Sequence, residues 1–243
     1  MKTYGLIGYP LSHSFSKKYF TEKFLKEGIT DARYELFPLA QISELSQLLT
    51  SRPDLCGLNV TIPYKEQLHS FLHEENDVVA ATGACNCIRI KDGKLKGFNT
   101  DVIVFEKSLL GLWKPSQKKA LVLGTGGASK AVLFVLKKLG IESQLVSRNP
   151  SVGSIGYKDV TKEIIKDHLL IINTTPAGMY PHADECPPLP YDAIGAQHFL
   201  FDLIYNPDKT LFLKKGEERG AAIQNGYDML IIQAEESWKI WNQ

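Results

Sequence analysis

Ala120-Leu121-Val122-Leu123-Gly124-Thr125-Gly126-Gly127-Ala128-Ser129 decides the fold class of this chain. Four consecutive apolar residues suit a strand covered on both faces, as strands of a parallel sheet are. Glycines follow at once, and an amphipathic stretch from about Ala128 to Leu139 runs into Gly140. The spacing predicts strand, tight turn, helix and stop. Working outward, Gln144-Leu145-Val146, Leu169-Leu170-Ile171-Ile172 and Phe199-Leu200-Phe201 are further short apolar runs. Strands alternating with helices imply βαβ units and a doubly wound sheet. Such a turn puts Gly124, Gly126, Gly127 and Ala128 at the sheet's carboxyl edge. The backbone there can approach a pyrophosphate, and the helix start offers free N–H groups and a partial positive charge. Ser129 stands where the strict G-x-G-x-x-G fingerprint has its third glycine. Without a ligand, the same residues make an ordinary βα turn.

The tip of the next strand reads Ser147-Arg148-Asn149. A site for NAD usually has an acid there, bonding the ribose 2′-OH. This chain has an arginine and no acid, and a guanidinium suits a 2′-phosphate. The residues favour NADP; the plain alternative is a solvated surface arginine.

Toward the N-terminus the pattern is again α/β. Leu6-Ile7-Gly8, Tyr34-Glu35-Leu36-Phe37 and Leu55 to Val60 read as strands, the second stopped by Pro38. Tyr19, Phe20 and Phe24 mark the apolar side of one helix, and Ile42, Leu45, Leu48 and Leu49 share one face of another. The spacing predicts a short helix over Lys65 to Leu72. Cys87-Ile88-Arg89-Ile90 and Leu95 flank Asp92-Gly93, a hairpin signal. Gly111 to Lys119 reads as a connection, and Met229 to Trp241 as the last helix. Polar residues gather at strand ends, in Ser12-His13-Ser14-Phe15-Ser16, Asn59 to Lys65, Asn86, and Gly97 to Asp101. Ligands of open α/β sheets bind at such ends. Hydroxyls, amides, one lysine and one carboxylate would suit a small polyhydroxylated acid. Each residue also has a bland reading: Ser14 or Ser16, and Thr100 or Asp101, as helix caps, and Lys65 as a solvated side chain.

Composition narrows the partners. Lys and Arg number 28 against 27 Asp and Glu, a net charge of +1 with His neutral. With no basic run, neither nucleic acid nor an anionic membrane is expected as partner. No apolar stretch approaches the roughly 18 residues of a membrane span, and the N-terminus does not read as a signal peptide. Four cysteines in 243 residues form no disulfide framework, so reduced thiols and a cytoplasmic location are expected. His69 and His73 stand at i, i+4 near Cys85-x-Cys87, but C-x-C is not the usual zinc spacing, and no metal is expected.

In order along the chain, these segments resemble the shikimate dehydrogenase family. Its S-x-S matches Ser14-Phe15-Ser16, its N-V-T-x-P-x-K matches Asn59 to Lys65, and its G-A-x-N-x matches Gly83 to Cys87. Its G-x-N-T-D matches Gly97 to Asp101, and its glycine loop is similar to Gly124 to Ala128. Its N-x-T-P-x-G-M resembles Asn173 to Met179. Its D-x-x-Y-x-P-x-x-T matches Asp202 to Thr210, and its G-x-x-M-L-x-x-Q-A matches Gly226 to Ala234. The chain departs from the pattern at Tyr9, usually Asn; at Lys17, usually Pro; and at Cys85 and Cys87, usually Val and Thr. Val152 replaces a second basic residue that often follows the arginine.

The resemblance implies reversible, NADP-linked reduction of 3-dehydroshikimate to shikimate, a step of chorismate and aromatic amino-acid biosynthesis. It implies Lys65 and Asp101 as the acid–base pair. Ser14 and Ser16 would hold the substrate carboxylate, and Thr61, Asn86, Asn99 and Gln233 its ring hydroxyls, with Tyr205 also in the substrate set. Gly124, Gly126, Gly127, Ala128, Ser147, Arg148, Thr174 and Gly226 would bind the cofactor. Two domains are expected: residues 1–100 with 227–243 for substrate, and a Rossmann-like doubly wound domain, residues 101–226, for NADP. A monomer or homodimer is expected. The family's quinate/shikimate branch, using NAD, is the alternative that the missing second basic residue keeps open. A non-catalytic relative that had kept only the fold would be expected to lose Lys65 or Asp101.

Overall fold

The computed structural model describes residues 1–11 and 14–243. Ser12 and His13, named above beside the first strand, lie outside the described residues. The chain divides into two compact units, Met1–Asp101 with Leu230–Gln243, and Val102–Met229.

The first unit runs β1 (Lys2–Gly8), α1 (Phe15–Lys26), β2 (Ala32–Pro38), α2 (Leu45–Ser51), β3 (Leu55–Val60), β4 (Glu74–Glu75), α3 (Asp77–Thr82), β5 (Cys87–Lys91) and β6 (Lys94–Phe98). Its sheet has the order β2-β1-β3-β5-β6-β4. The pairs β1/β2, β1/β3 and β4/β6 are parallel; β3/β5 and β5/β6 are antiparallel. The hairpin β5–β6 turns through Asp92 (φ 52°) and Gly93 (φ 74°). Two successive positive φ values match the right-handed strand twist, which is why Asp-Gly is readable as a hairpin.

One expected element is corrected. Lys65 to Leu72 is not a helix: its only helical turn is a 3-10 segment, His69–Phe71. The Lys65 carbonyl, which a helix would give to residue 69, instead accepts from Cys85 N at 2.8 Å. Leu68 is fully buried and Tyr64 donates its hydroxyl to Leu39 O at 2.6 Å. Tertiary bonds outweigh the local propensity here.

Helix α4 (Thr100–Leu110) crosses the division between the units. The second unit continues with β7 (Lys119–Leu123), α5 (Gly127–Lys138), β8 (Glu142–Ser147), β9 (Ser154–Gly156), α6 (Lys162–Asp167), β10 (Leu170–Asn173), β11 (Phe199–Asp202), α7 (Leu211–Glu217) and β12 (Ala222–Gln224). Its strands are all parallel, in the order β12-β11-β10-β7-β8-β9. The run Ala120–Leu123 is completely buried, as its unbroken apolar character requires. Its core joins Leu121, Leu123, Ile171, Leu200 and Phe212.

Helix α8 (Tyr227–Trp241) belongs to the first unit from Leu230 onward. Trp241 stacks on Tyr4 with centroids 4.9 Å apart, and its indole donates to Ile88 O at 3.0 Å. A side chain on Gly57 would meet Trp241 at 2.3 Å, so glycine is what lets the ring lie on the sheet. Such a ring pair contributes about 0.5–1.5 kcal/mol beyond its buried area. Below it, Ser237 accepts from Asn59 Nδ2 at 2.7 Å, and Tyr34 donates to Asn59 Oδ1 at 2.9 Å. These bonds fix α8 and thereby the height of Gln233, one turn earlier on the same face.

Candidate active site

At the carboxyl edge of the first sheet, β3 and β6 end and the antiparallel β5 begins. The register Asn59↔Cys87↔Phe98 therefore brings Asn86, Asn99, Thr100 and Asp101 beside the segment that leaves β3. Val60 N donates to Asn86 O at 2.9 Å, and Asn86 N to Phe98 O at 3.1 Å. Residues far apart in sequence meet here because two strand ends and one strand start share an edge.

Lys65 Nζ donates to Asp101 Oδ2 at 2.7 Å. Their side chains are 20% and 17% exposed, so the pair is sheltered but within reach of a ligand. Asn86 Nδ2 donates to the other oxygen, Asp101 Oδ1, at 2.7 Å, and to Thr100 Oγ1 at 2.9 Å. Asn86 Oδ1 accepts from Thr100 N at 2.7 Å. The carboxylate is thus gripped at both oxygens, and Asn86 also satisfies an N–H at the start of α4, which the helix itself leaves unpaired. Asn99 is 2% exposed; its Nδ2 donates to Ala84 O at 2.9 Å and Thr82 Oγ1 at 3.2 Å. Its Oδ1 is buried and accepts no hydrogen bond among the described residues. A buried acceptor without a donor costs about 1–3 kcal/mol, which a ligand hydroxyl would recover.

Ser14 caps α1, its Oγ accepting from Lys17 N at 3.4 Å and keeping its own hydroxyl hydrogen to donate. Ser16 lies near the buried Tyr34 phenol, whose pKa burial drives upward. Thr61 follows β3, with its N–H on Ile7 O at 3.0 Å. Gln233 is half-buried on α8. Cys85 and Cys87, beside Asn86, are buried free thiols; burial pushes Cys85 up to about 12 and raises Cys87 further. His69 pairs with Glu75, whereas His73 Nδ1 accepts from Leu95 N. Among the described residues, no group of three or more His, Cys, Asp or Glu is placed to hold a metal ion.

The second unit carries the glycine turn between β7 and α5. Gly124 adopts φ +109°, and a Cβ there would meet Thr174 Oγ1 at 2.7 Å and Thr175 Cγ2 at 2.9 Å. Gly126 faces open space and is the N-cap of α5, with no side chain capping the helix. Ser129 N turns back onto Gly126 O at 3.0 Å, so the N–H groups of Gly127 and Ala128 are the ones left for an anion. Ser147 closes the turn after β8, accepting from Asn149 N at 3.2 Å. Arg148 is exposed and forms no ion pair among the described residues. Thr174 donates its hydroxyl to Leu123 O at 2.7 Å. Gly226 N donates to Ile204 O at 3.0 Å, and a Cβ on Gly226 would strike Leu203 O at 2.2 Å. Tyr205 follows β11 in this unit. A narrow glycine turn, an uncapped helix start and an exposed guanidinium one strand away fit a pyrophosphate and a 2′-phosphate, so the residues present suit NADP.

Two further groups, present in the matched motifs, receive no site role from the sequence reading. Thr100 is completely buried and ties Asn86 to α4, where the sequence offers only a possible cap. Asp202 is completely buried at the end of β11; its signal is an acid closing the apolar run Phe199–Phe201.

Comparison with known proteins gives one consistent picture. Residues 6–88 match the family model described as the shikimate dehydrogenase substrate binding domain. The chain is 36% identical over 261 residues to the shikimate dehydrogenase (NADP(+)) of Caldicellulosiruptor bescii, covering 99% of this chain and 89% of that protein. It superposes on the crystal structure of shikimate dehydrogenase from Aquifex aeolicus with a TM-score of 0.89 at 33% identity, covering 100% of this chain and 92% of that one. It also superposes on shikimate 5-dehydrogenase from Thermus thermophilus in complex with NADP(H) and shikimate. There the TM-score is 0.88 at 28% identity, covering 99% of this chain and 93% of that one.

Proposed function

The chain belongs to the shikimate dehydrogenase family, and from that premise we propose that it catalyses the reversible, NADP-dependent reduction of 3-dehydroshikimate to shikimate, a step toward chorismate and the aromatic amino acids. The observation that carries this reading is the Lys65–Asp101 pair, 2.7 Å apart, with Asn86 holding the second carboxylate oxygen.

When bound, NADPH supplies the hydride. Hydride arriving at a ketone carbon builds negative charge on its oxygen. Lys65 stabilises that charge and delivers the proton; in the oxidative direction it takes the hydroxyl proton back. Asp101 aims the ammonium and, being held on both sides, does not swing with it. Ser14 and Ser16 receive the substrate carboxylate, while Thr61, Asn99 and Gln233 receive hydroxyls; Asn86, buried with its amide on Asp101 and Thr100, steadies the acid–base pair instead. The partnerless Asn99 Oδ1 supports a hydroxyl donor at that position. Gly124, Gly126, Gly127, Ala128, Thr174 and Gly226 hold the dinucleotide, with Ser147 and Arg148 at its 2′-phosphate. Residues 1–100 with 227–243 serve the substrate, and 101–226 the cofactor.

The reaction belongs in the cytoplasm, in a monomer or homodimer with no nucleic-acid partner. The four cysteines are free, and no helix of the described residues is long and apolar enough to cross a membrane. Following reduced-cofactor absorbance with shikimate and with quinate, each with NADP and with NAD, tests the proposal. Shikimate with NADP is expected to be fastest; fastest turnover of quinate with NAD would move the chain to the other branch of the family.

A further inference from the structure

We propose that Asp202 is a positioning residue for the cofactor edge, setting the wall of the glycine turn through Asn173 and Thr175 and fixing the Leu203–Tyr205 segment through Ile204. The inference rests on the NADP reading above and assigns a role to a residue outside the contact set.

Register puts the relay in line. Leu123, Asn173 and Asp202 are the last residues of β7, β10 and β11 and pair side by side, Asn173 with Leu123 and with Asp202. Asp202 Oδ1 accepts from Asn173 Nδ2 at 3.0 Å and from Ile204 N at 3.1 Å, and Oδ2 accepts from Thr210 Oγ1 at 2.6 Å. With its amide group held, Asn173 turns its oxygen toward the next loop. Asn173 Oδ1 accepts from Thr175 N at 3.0 Å and from Thr175 Oγ1 at 2.7 Å. Thr175 Oγ1 in turn accepts from Ala177 N at 3.2 Å. Thr175 and Thr174 are the side chains that Gly124 faces within 3 Å of its missing Cβ. On the other side, Ile204 N donates to Asp202 while Ile204 O accepts from Gly226 N at 3.0 Å.

Three segments that would touch the cofactor therefore trace back to one carboxylate. Among the described residues Asp202 has no cationic partner: its three donors are neutral, and the side chain is completely buried. Burying an acid this way is costly, so an amide or an apolar residue would be the cheaper choice were only strand-end packing at stake. Two oxygens accepting three bonds, from the side chains of Asn173 and Thr210 and the backbone N–H of Ile204, are what a carboxylate supplies and no neutral side chain does.

The test is the NADP dissociation constant of the full chain, with KM for NADP and for shikimate, in the wild type, Asp202→Asn and Thr210→Val. The Asn variant keeps the shape but loses the charge and one acceptor. It is expected to weaken NADP binding and raise KM for NADP about tenfold, with KM for shikimate moving less than about twofold. Thr210→Val removes one donor that lies away from the turn, together with the N-cap that Thr210 Oγ1 gives α7, with an expected loss of about threefold in the same direction. If Asp202→Asn does not fold, Thr210→Val decides. NADP affinity unchanged in the folded variants, or KM for both substrates rising alike, overturns the proposal. The wild-type titration stands apart: no NADP binding there defeats the cofactor reading itself, whereas normal binding with inert variants defeats only the role of Asp202.

Discussion

Asp101 and Asp202 stand at the carboxyl edges of the two sheets and are held in opposite ways. Asp101 is partly open, faces the Lys65 ammonium and is steadied by an amide. Asp202 is sealed and held by a hydroxyl, an amide and one backbone N–H. A charge pair left partly open can exchange a proton with a ligand. A carboxylate closed in by neutral donors exchanges nothing with a ligand and instead organises the backbone around it. On the proposed reading the same side chain serves chemistry at one edge and geometry at the other, and the difference lies in its neighbours.

The sharpest way to break this contrast is at the open pair. Lys65→Ala is expected to lower kcat by about 10²–10⁴, with NADP affinity within about twofold because no turn residue is altered. Steady-state rates and a cofactor titration measure both, and near-normal turnover would remove Lys65 from the mechanism. Asn86→Ala leaves Asp101 unclamped and Thr100 N unpaired. Stability is expected to fall by about 1–3 kcal/mol in urea unfolding, with lower kcat in the folded protein. Unaltered stability would show that the amide does not bear on the pair.

At the cofactor edge, Arg148→Ala should raise KM for NADP about tenfold and leave KM for NAD near its starting value. An equal change for both cofactors would place the guanidinium away from the 2′-phosphate. The sealed carboxylate is expected to show itself as a slope in pH. Burial lifts the Asp202 carboxyl to about 7, against the pull of its three donors. A folded-state value above the unfolded one means that the folded protein binds more protons between pH about 4 and about 7. Stability from this group is then greatest below that window and declines as pH rises through it. Asp202→Asn should flatten the decline, read from unfolding free energies across the window. Asp54 provides the opposite sign: Arg52, Thr3 and Arg33 hold its carboxyl well below the usual range, so its contribution is present near neutrality and lost on acidification.

Legibility follows the range of the signal. The β7 run, the glycine turn, the start of α5 and the Asp92-Gly93 hairpin each rest on adjacent residues and are readable. Helices α3, α6 and α7 and the edge strands β4, β9 and β12 escape a sequence reading. They span two to seven residues, too few for a period to declare itself. The helix expected over Lys65 to Leu72 fails because Cys85 claims the Lys65 carbonyl from outside the segment.

By itself the sequence determined the succession of strands and helices, the glycine turn, the arginine one strand away and the residue types available for chemistry. Only the tertiary structure decided that Lys65 meets Asp101, that Asn86 spends its amide on that carboxylate, and that Asp202 reaches three loops at once. Those contacts depend on which strand lies beside which and in what register. Side-chain hydrogen bonds act over about 3 Å, whereas the residues that make them are brought together by packing of the whole sheet.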